Sequence, residues 1–108
     1  MTAGPEDEGL QKAIRAVWLK YRSLNRERLQ TLLDVRRALL AGTLEPELRN
    51  RGALEAHKLA GTAGSFGYEE ISALCREVEL ALQDQQTVSA NLAQIIERVR
   101  TLLEPILE

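Results

Sequence analysis

The sequence predicts an all-α fold, an up-and-down antiparallel four-helix bundle with an additional N-terminal helix. Three observations predict it. Hydrophobic residues make up 44% of the chain and aromatic ones only 4%, so the core must be built from Leu, Ile, Val and Ala, which suits helix-on-helix packing better than a sheet sandwich. Apolar residues recur at helical spacing in successive long stretches. Short turns separate those stretches and favour antiparallel neighbours. At 108 residues the chain has the length of one domain and can bury a core without staples. Residues 1–7, "MTAGPED", are acidic, contain Gly and Pro, and are expected to be disordered.

The first helix is expected from about Glu8 to about Arg22, where Leu10, Ala13, Ile14, Val17, Trp18 and Tyr21 form one stripe. Trp18 reads as core. Ser23 or Asn25 offers a cap for the second helix, which carries Leu29, Leu32, Leu33, Val35, Leu39 and Leu40 to a stop at Gly42. Pro46 suits the first position of a third helix, and the proline pushes Glu45 into the extended region. A fourth helix begins near Tyr68 with Ile71, Leu74, Cys75, Val78 and Ala81 or Leu82 facing inward. Thr87 or Ser89 caps the last helix, whose apolar positions are Leu92, Ile95, Ile96, Val99, Leu102, Leu103 and Ile106; Pro105 is expected to disturb its end.

Composition narrows the function classes. A formal charge of −2, with acids and bases interleaved, leaves no concentrated basic footprint for a phosphate backbone, so nucleic acid is not an expected partner. No apolar run approaches the roughly 18 residues of a membrane span, and the amino terminus is unlike a signal peptide. The single cysteine, Cys75, excludes an internal disulfide and falls in an apolar pattern, where a thiol is buried rather than reactive. These features suit a cytoplasmic module, and a closed bundle needs no second copy, so a monomer is expected.

The single histidine stands in "HKLAGTAGSFG", residues 57 to 67, beside Gly61, Gly64 and Gly67. Each glycine inside a helix costs about 1 kcal/mol relative to alanine. Either these glycines end a helix or something must come close to the imidazole. At about 100° per residue, Leu48, Leu59 and Phe66 lie away from His57, whereas Asn50, Ala53, Leu54, Ala60, Gly61 and Gly64 fall within a quarter-turn of it. With Leu48, Leu59 and Phe66 in the core and Ala56 and Ala63 at its edge, His57 projects into solvent over a low-relief strip. Position alone leaves two readings open: an ordinary surface histidine followed by helix-ending glycines, or a site that another molecule touches.

"AHKLAGTAGSFG" (56 to 67) resembles the signature of histidine-containing phosphotransfer (HPt) domains of bacterial two-component phosphorelays. That pattern is roughly H-x-L-K-G, then small residues, then an apolar residue and a glycine. His57, Leu59, Gly61, Ala63, Phe66 and Gly67 stand at the matching positions, and "YEEISALCREVE" (68 to 79) resembles the helix that usually follows. The resemblance implies that His57 accepts a phosphoryl group from a receiver-domain aspartyl phosphate and passes it to another receiver aspartate. Its expected partners are a response-regulator receiver and a hybrid sensor kinase, with Mg2+ on the receiver and no cofactor or metal on this chain. Lys58, Ala60 and Gly61 would neighbour the phosphate, and Asn50, Ala53, Leu54, Gly61 and Gly64 would dock the partner.

One departure bears on the chemistry. The family commonly has lysine three residues after the histidine, and this chain has Ala60 there; Lys58 is the nearest substitute in sequence, about 100° round the helix. A free imidazole, with a pKa of about 6.5, offers a ring lone pair as nucleophile near neutral pH. Phosphoryl transfer then depends mainly on in-line positioning and on charge stabilisation, and a convex helix leaves the pocket and metal to the partner.

"GTAGSFG" lacks the GK[ST] ending of a P-loop and follows a helix, which disfavours ATP-dependent kinase activity and implies a stoichiometric carrier rather than an enzyme. A sensor-kinase dimerisation helix usually has an acid just after the histidine and a proline a few residues on, where this chain has Lys58 and no such proline. A bundle metal site would need paired Glu-x-x-His motifs, and residue 54 is leucine. The alternative reading is a non-catalytic helical interaction module that docks a partner through the same strip without carrying phosphate.

Overall fold

The computed structural model describes residues 5–84 and 90–108, with side chains described over 8–84 and 91–108. Among the described residues five helices follow one another: α1 (Pro5–Lys20), α2 (Arg22–Ala41), α3 (Pro46–Ser65), α4 (Glu69–Gln83) and α5 (Ala90–Leu107). Helix α2 packs on α3 and α5, and α4 packs on the same two, closing a ring of four helices in chain order. The α3–α4 contact is the most extensive. Helix α1 begins at Pro5, inside the segment expected to be loose, and residues 1–4 lie outside the described residues.

Two glycines end helices because they adopt the left-handed conformation open to a residue without Cβ. Gly42 (φ 70°) closes α2, with Thr43 N–H donating to the Ala38 carbonyl at 2.9 Å. Gly67 (φ 86°) closes α3, with Tyr68 N–H donating to the Ala63 carbonyl at 2.8 Å. Gly61 and Gly64 are therefore interior to the helix and do not end it. At the other end of α3, Glu45 is extended (φ −85°, ψ 155°) and Pro46 opens the first turn, as the proline dictates.

Neither Ser23 nor Asn25 caps α2. The chain passes from α1 to α2 through a one-residue break at Tyr21, whose side chain makes no cap bond, and Asn25 lies one turn inside, buried, accepting a hydrogen bond from Arg28 Nη1 at 3.2 Å. Because the break is so small, α1 runs on beyond the bundle. The long axis of 52 Å exceeds the roughly 30 Å of a 20-residue helix. The expected caps of α5, Thr87 and Ser89, lie outside the described residues.

Pro105 does not stop α5, which continues to Leu107. A proline in the last turn removes one N–H, but the terminal carbonyls are held by other helices: Trp18 Nε1 donates to Ile106 O and Arg26 Nη2 to Leu107 O, each at 2.8 Å. Trp18 also meets Phe66 edge-on, with centroids 5.2 Å apart, and tilts against Tyr68 at 4.9 Å. One indole thus joins α1, the α3–α4 turn and the end of α5.

The core consists of Leu29, Leu32 and Val35 from α2, Ala56, Leu59, Ala60 and Ala63 from α3, Ile71, Cys75, Val78 and Leu82 from α4, and Leu92, Ile96, Val99, Leu103 and Leu107 from α5. Ala56 and Ala63, expected at its edge, are fully inside. Small residues here let the helices approach: a Cβ on Gly52 would lie 2.7 Å from Val35 Cγ2 and 3.0 Å from Leu82 Cδ1. The α1 stripe departs most from expectation. Trp18 is buried, but Leu10, Ile14, Val17 and Tyr21 are exposed because, among the described residues, no helix lies opposite them.

Candidate functional site

Helix α3 turns Ala56, Leu59 and Ala63 inward, and the same rotation carries His57 out. Its side chain is 68% exposed. The ring is oriented all the same, since Nδ1 lies 2.9 Å from Oε2 of Glu79 on α4. An ionised carboxylate only accepts hydrogen bonds, so in the neutral ring Nδ1 carries the proton and donates it to Glu79. Nε2 is then the nitrogen with the lone pair, and it has no protein partner among the described residues. The Glu79 side chain is only 17% exposed, held at the rim of the α3–α4 interface beside buried Val78.

The residues predicted to surround the histidine divide into three groups. Asn50, Ala53 and Leu54 share a groove with His57 and Glu79 along the α3–α4 seam. Lys58 and Gly61 share a second groove with His57 on the opposite flank, completed by Tyr21, Leu24 and Arg28 of the α1–α2 segment. Gly61 faces open space, with nothing within 4 Å of a Cβ placed there. Ala60 and Gly64 belong to neither groove.

Ala60 is a correction: it is buried in the core, and its carbonyl accepts a hydrogen bond from Ser72 Oγ at 2.7 Å. It sits about 60° from His57 on the helical wheel, on the side that α4 covers, so its methyl group cannot neighbour a phosphate on the histidine. Gly64 points close to the histidine direction but lies two turns along the axis. It lines a separate groove with Ser72, Ala73 and Arg76, where a Cβ would approach Ser72 Oγ to 3.1 Å. Its missing side chain serves the packing of α4.

Three residues at the site were not anticipated. Glu79 is one; Arg28 and Glu55 are the others, Arg28 Nε lying 3.8 Å from Glu55 Oε2 while Lys58 Nζ donates to Glu55 Oε1 at 3.4 Å. A signal for Glu79 exists in the sequence. In an antiparallel helical hairpin, facing positions lie at nearly equal distances from the turn, so folding the chain about Phe66–Tyr68 brings residues in the high seventies opposite His57. Nothing comparable marks Arg28, which reaches the site from another helix.

The family model for the Hpt domain matches residues 18–107. The chain belongs to the Hpt domain family. Protein RcaC of Microchaete diplosiphon is 25% identical to this Hpt domain over 91 residues, a match covering 84% of the chain and 14% of RcaC. The chain therefore spans about one seventh of that relative's length. No solved structure matches it. Family membership places the Hpt domain in the phosphorelays of two-component signalling, where such domains carry phosphoryl groups without kinase machinery and meet receiver domains. The family match begins at Trp18, so most of α1 lies ahead of it. Among the described residues, no helix of this Hpt domain is long and apolar enough to cross a membrane, and no three His, Cys, Asp or Glu side chains cluster to hold a metal ion.

Proposed function

We propose that this Hpt domain is a phosphorelay intermediate whose phosphoacceptor is Nε2 of His57, loaded from a receiver aspartyl phosphate and unloaded onto another receiver aspartate. The observation that carries the proposal is the pairing of an exposed imidazole with Glu79 through Nδ1. In the transfer, the Nε2 lone pair forms the N–P bond as the P–O bond to aspartate breaks, and the electrons of that bond leave on the carboxylate. The ring becomes a phosphoimidazolium that keeps its Nδ1 proton. Glu79, already accepting that proton in a hydrogen bond, faces the positive charge as it develops, and no proton has to move.

The partner supplies what a convex helix lacks. Mg2+ held by the receiver would neutralise charge on the transferred oxygens, and this chain would carry no cofactor of its own. Asn50, Ala53 and Leu54 on one flank and Gly61 on the other form the docking strip, with Lys58 beside the phosphate. The domain works as a cytoplasmic monomer, receiving phosphate from a receiver that belongs to a hybrid sensor kinase or stands alone.

The test is incubation with a phosphorylated receiver followed by measurement of acid-labile, base-stable phosphate on this chain. His57→Gln is expected to abolish the label with helicity unchanged; undiminished labelling contradicts the assignment. Glu79→Ala is expected to slow transfer about tenfold, the low end of the roughly 1.5–3 kcal/mol that hydrogen bonds to charged groups contribute, because His57 is so exposed. Gly61→Leu should impair transfer by filling open space at the docking strip. An unmodified chain that binds the receiver would instead be a docking module.

A further inference from the structure

The Hpt site has its own cationic cradle, assembled from two helices, and a carboxylate that occupies it. Family lysine at the position of Ala60 is missing, and burial of Ala60 leaves the phosphate without a partner there. Arg28 of α2 and Lys58 of α3 line the same groove as His57. Arg28 is anchored: its Nη1 donates to Asn25 Oδ1 and to Thr62 Oγ1, each at 3.2 Å, and the side chain is 15% exposed. That anchoring uses one end of the guanidinium. Nε, which with Nη2 forms the edge that presents two parallel N–H groups suited to an oxyanion, is buried and makes no hydrogen bond among the described residues, with Glu55 Oε2 3.8 Å away. Lys58, the other cation, is tied to the second oxygen of the same carboxylate at 3.4 Å.

We infer that Arg28 and Lys58 bind the phosphoryl group of phosphorylated His57, and that Glu55 holds both cations in the unphosphorylated state and yields them when the phosphate arrives. This rests on the reading of His57 as the phosphoacceptor. A phosphoryl group brings a charge of about −1.5 to −2 and three acceptor oxygens, more than the single charge of a carboxylate that makes one hydrogen bond, to Lys58, and only a long ion pair to Arg28. The guanidinium, held at Nη1, turns its Nε and Nη2 edge toward the phosphate as the Glu55 carboxylate withdraws and uncovers Nε, and the lysine follows by rotating about its flexible stem. Glu79, on the other side of the imidazole, stays with Nδ1 throughout.

The experiment uses phosphoramidate as the phosphodonor, so that no receiver is needed. Nε2 attacks phosphorus, the P–N bond of the donor breaks, and ammonia leaves with its electron pair. The 31P resonance of the phosphohistidine is then followed against pH in the wild-type chain and in Arg28→Gln, Lys58→Gln and Glu55→Gln. A cation beside the phosphoryl oxygens favours the dianion. Arg28→Gln is expected to raise the phosphoryl titration midpoint by about half a pH unit or more, Lys58→Gln by less, and Glu55→Gln to lower it, with Arg28→Lys restoring part of the wild-type value. Opposite signs for removing a cation and removing the carboxylate cannot arise from general damage to the fold. Midpoints unchanged in both Arg28→Gln and Glu55→Gln overturn the cradle while leaving the phosphoacceptor in place. A wild-type chain without a phosphohistidine signal, or a signal that persists in His57→Gln, overturns both.

Discussion

Helices α1 and α5 carry apolar stripes of the same kind, yet one lies in water and the other in the core. In α5, Leu92, Ile96, Val99, Leu103 and Leu107 are all buried. In α1, Leu10, Ile14 and Val17 recur at comparable spacing and stay exposed, Leu10 at 60%. Both are amphipathic, α5 more strongly so, but a difference of degree leaves neither helix without an apolar stripe to bury. What separates them is opposition: α5 lies between α2 and α4, whereas α1 touches the rest of the molecule chiefly at its junction with α2 and through Trp18. An apolar stripe states that a helix can be buried, but a second surface is needed to bury it.

Substitutions along the two stripes sharpen this contrast. The largest effect is expected at Trp18, where α1 does meet a surface: Trp18→Ala should cost about 3–5 kcal/mol, measured by denaturant unfolding, because it removes ring packing on Phe66 and Tyr68 and the donor to Ile106 O together. A loss below about 1 kcal/mol, the centre of the distribution for ordinary substitutions, would show that α1 is not docked through its indole. Leu103→Ala in α5 is expected to cost about 2–5 kcal/mol in the same measurement.

The interior of the ring also leaves a pH signature. Burial pushes the Cys75 thiol up from 9.0 to about 12, since a thiolate there would be desolvated. The unfolded chain releases this proton first, so the folded state binds more protons over that window. Its contribution to stability is fully present below about pH 9 and is lost as pH rises toward 12, at up to about 1.4 kcal/mol per pH unit. Cys75→Ala should flatten the alkaline slope of unfolding relative to wild type; an unchanged slope would mean the thiol is not sealed. The smallest effects belong to the outer part of α1, where Leu10→Ala and Ile14→Ala should each stay within about 0.5 kcal/mol. A loss as large as that of Leu103→Ala would break the comparison and reveal a covering surface for α1.

The five helices, the stop at Gly42 and the start at Pro46 were legible because each depends on local chemistry: periodic apolar residues, a left-handed glycine, a proline's fixed φ. The outward turn of His57 was legible for the same reason, as a rotation within one helix. Misreadings cluster where two helices meet. Asn25, expected as a cap, is a buried partner of Arg28; Ala60, expected beside the phosphate, is buried against α4; Pro105, expected to disturb the end of α5, leaves the helix running to Leu107 with its terminal carbonyls held by Trp18 and Arg26.

The candidate site divides along the same line. That a histidine should stand exposed among small residues follows from the order of side chains along α3, because 3.6 residues per turn set their directions before any packing occurs. That its Nδ1 meets Glu79, and that Arg28 reaches the carboxylate of Glu55, followed only from the assembled bundle. These contacts join residues far apart in the chain, and their distances are set by how closely α2 and α4 seat against the small-residue faces of α3.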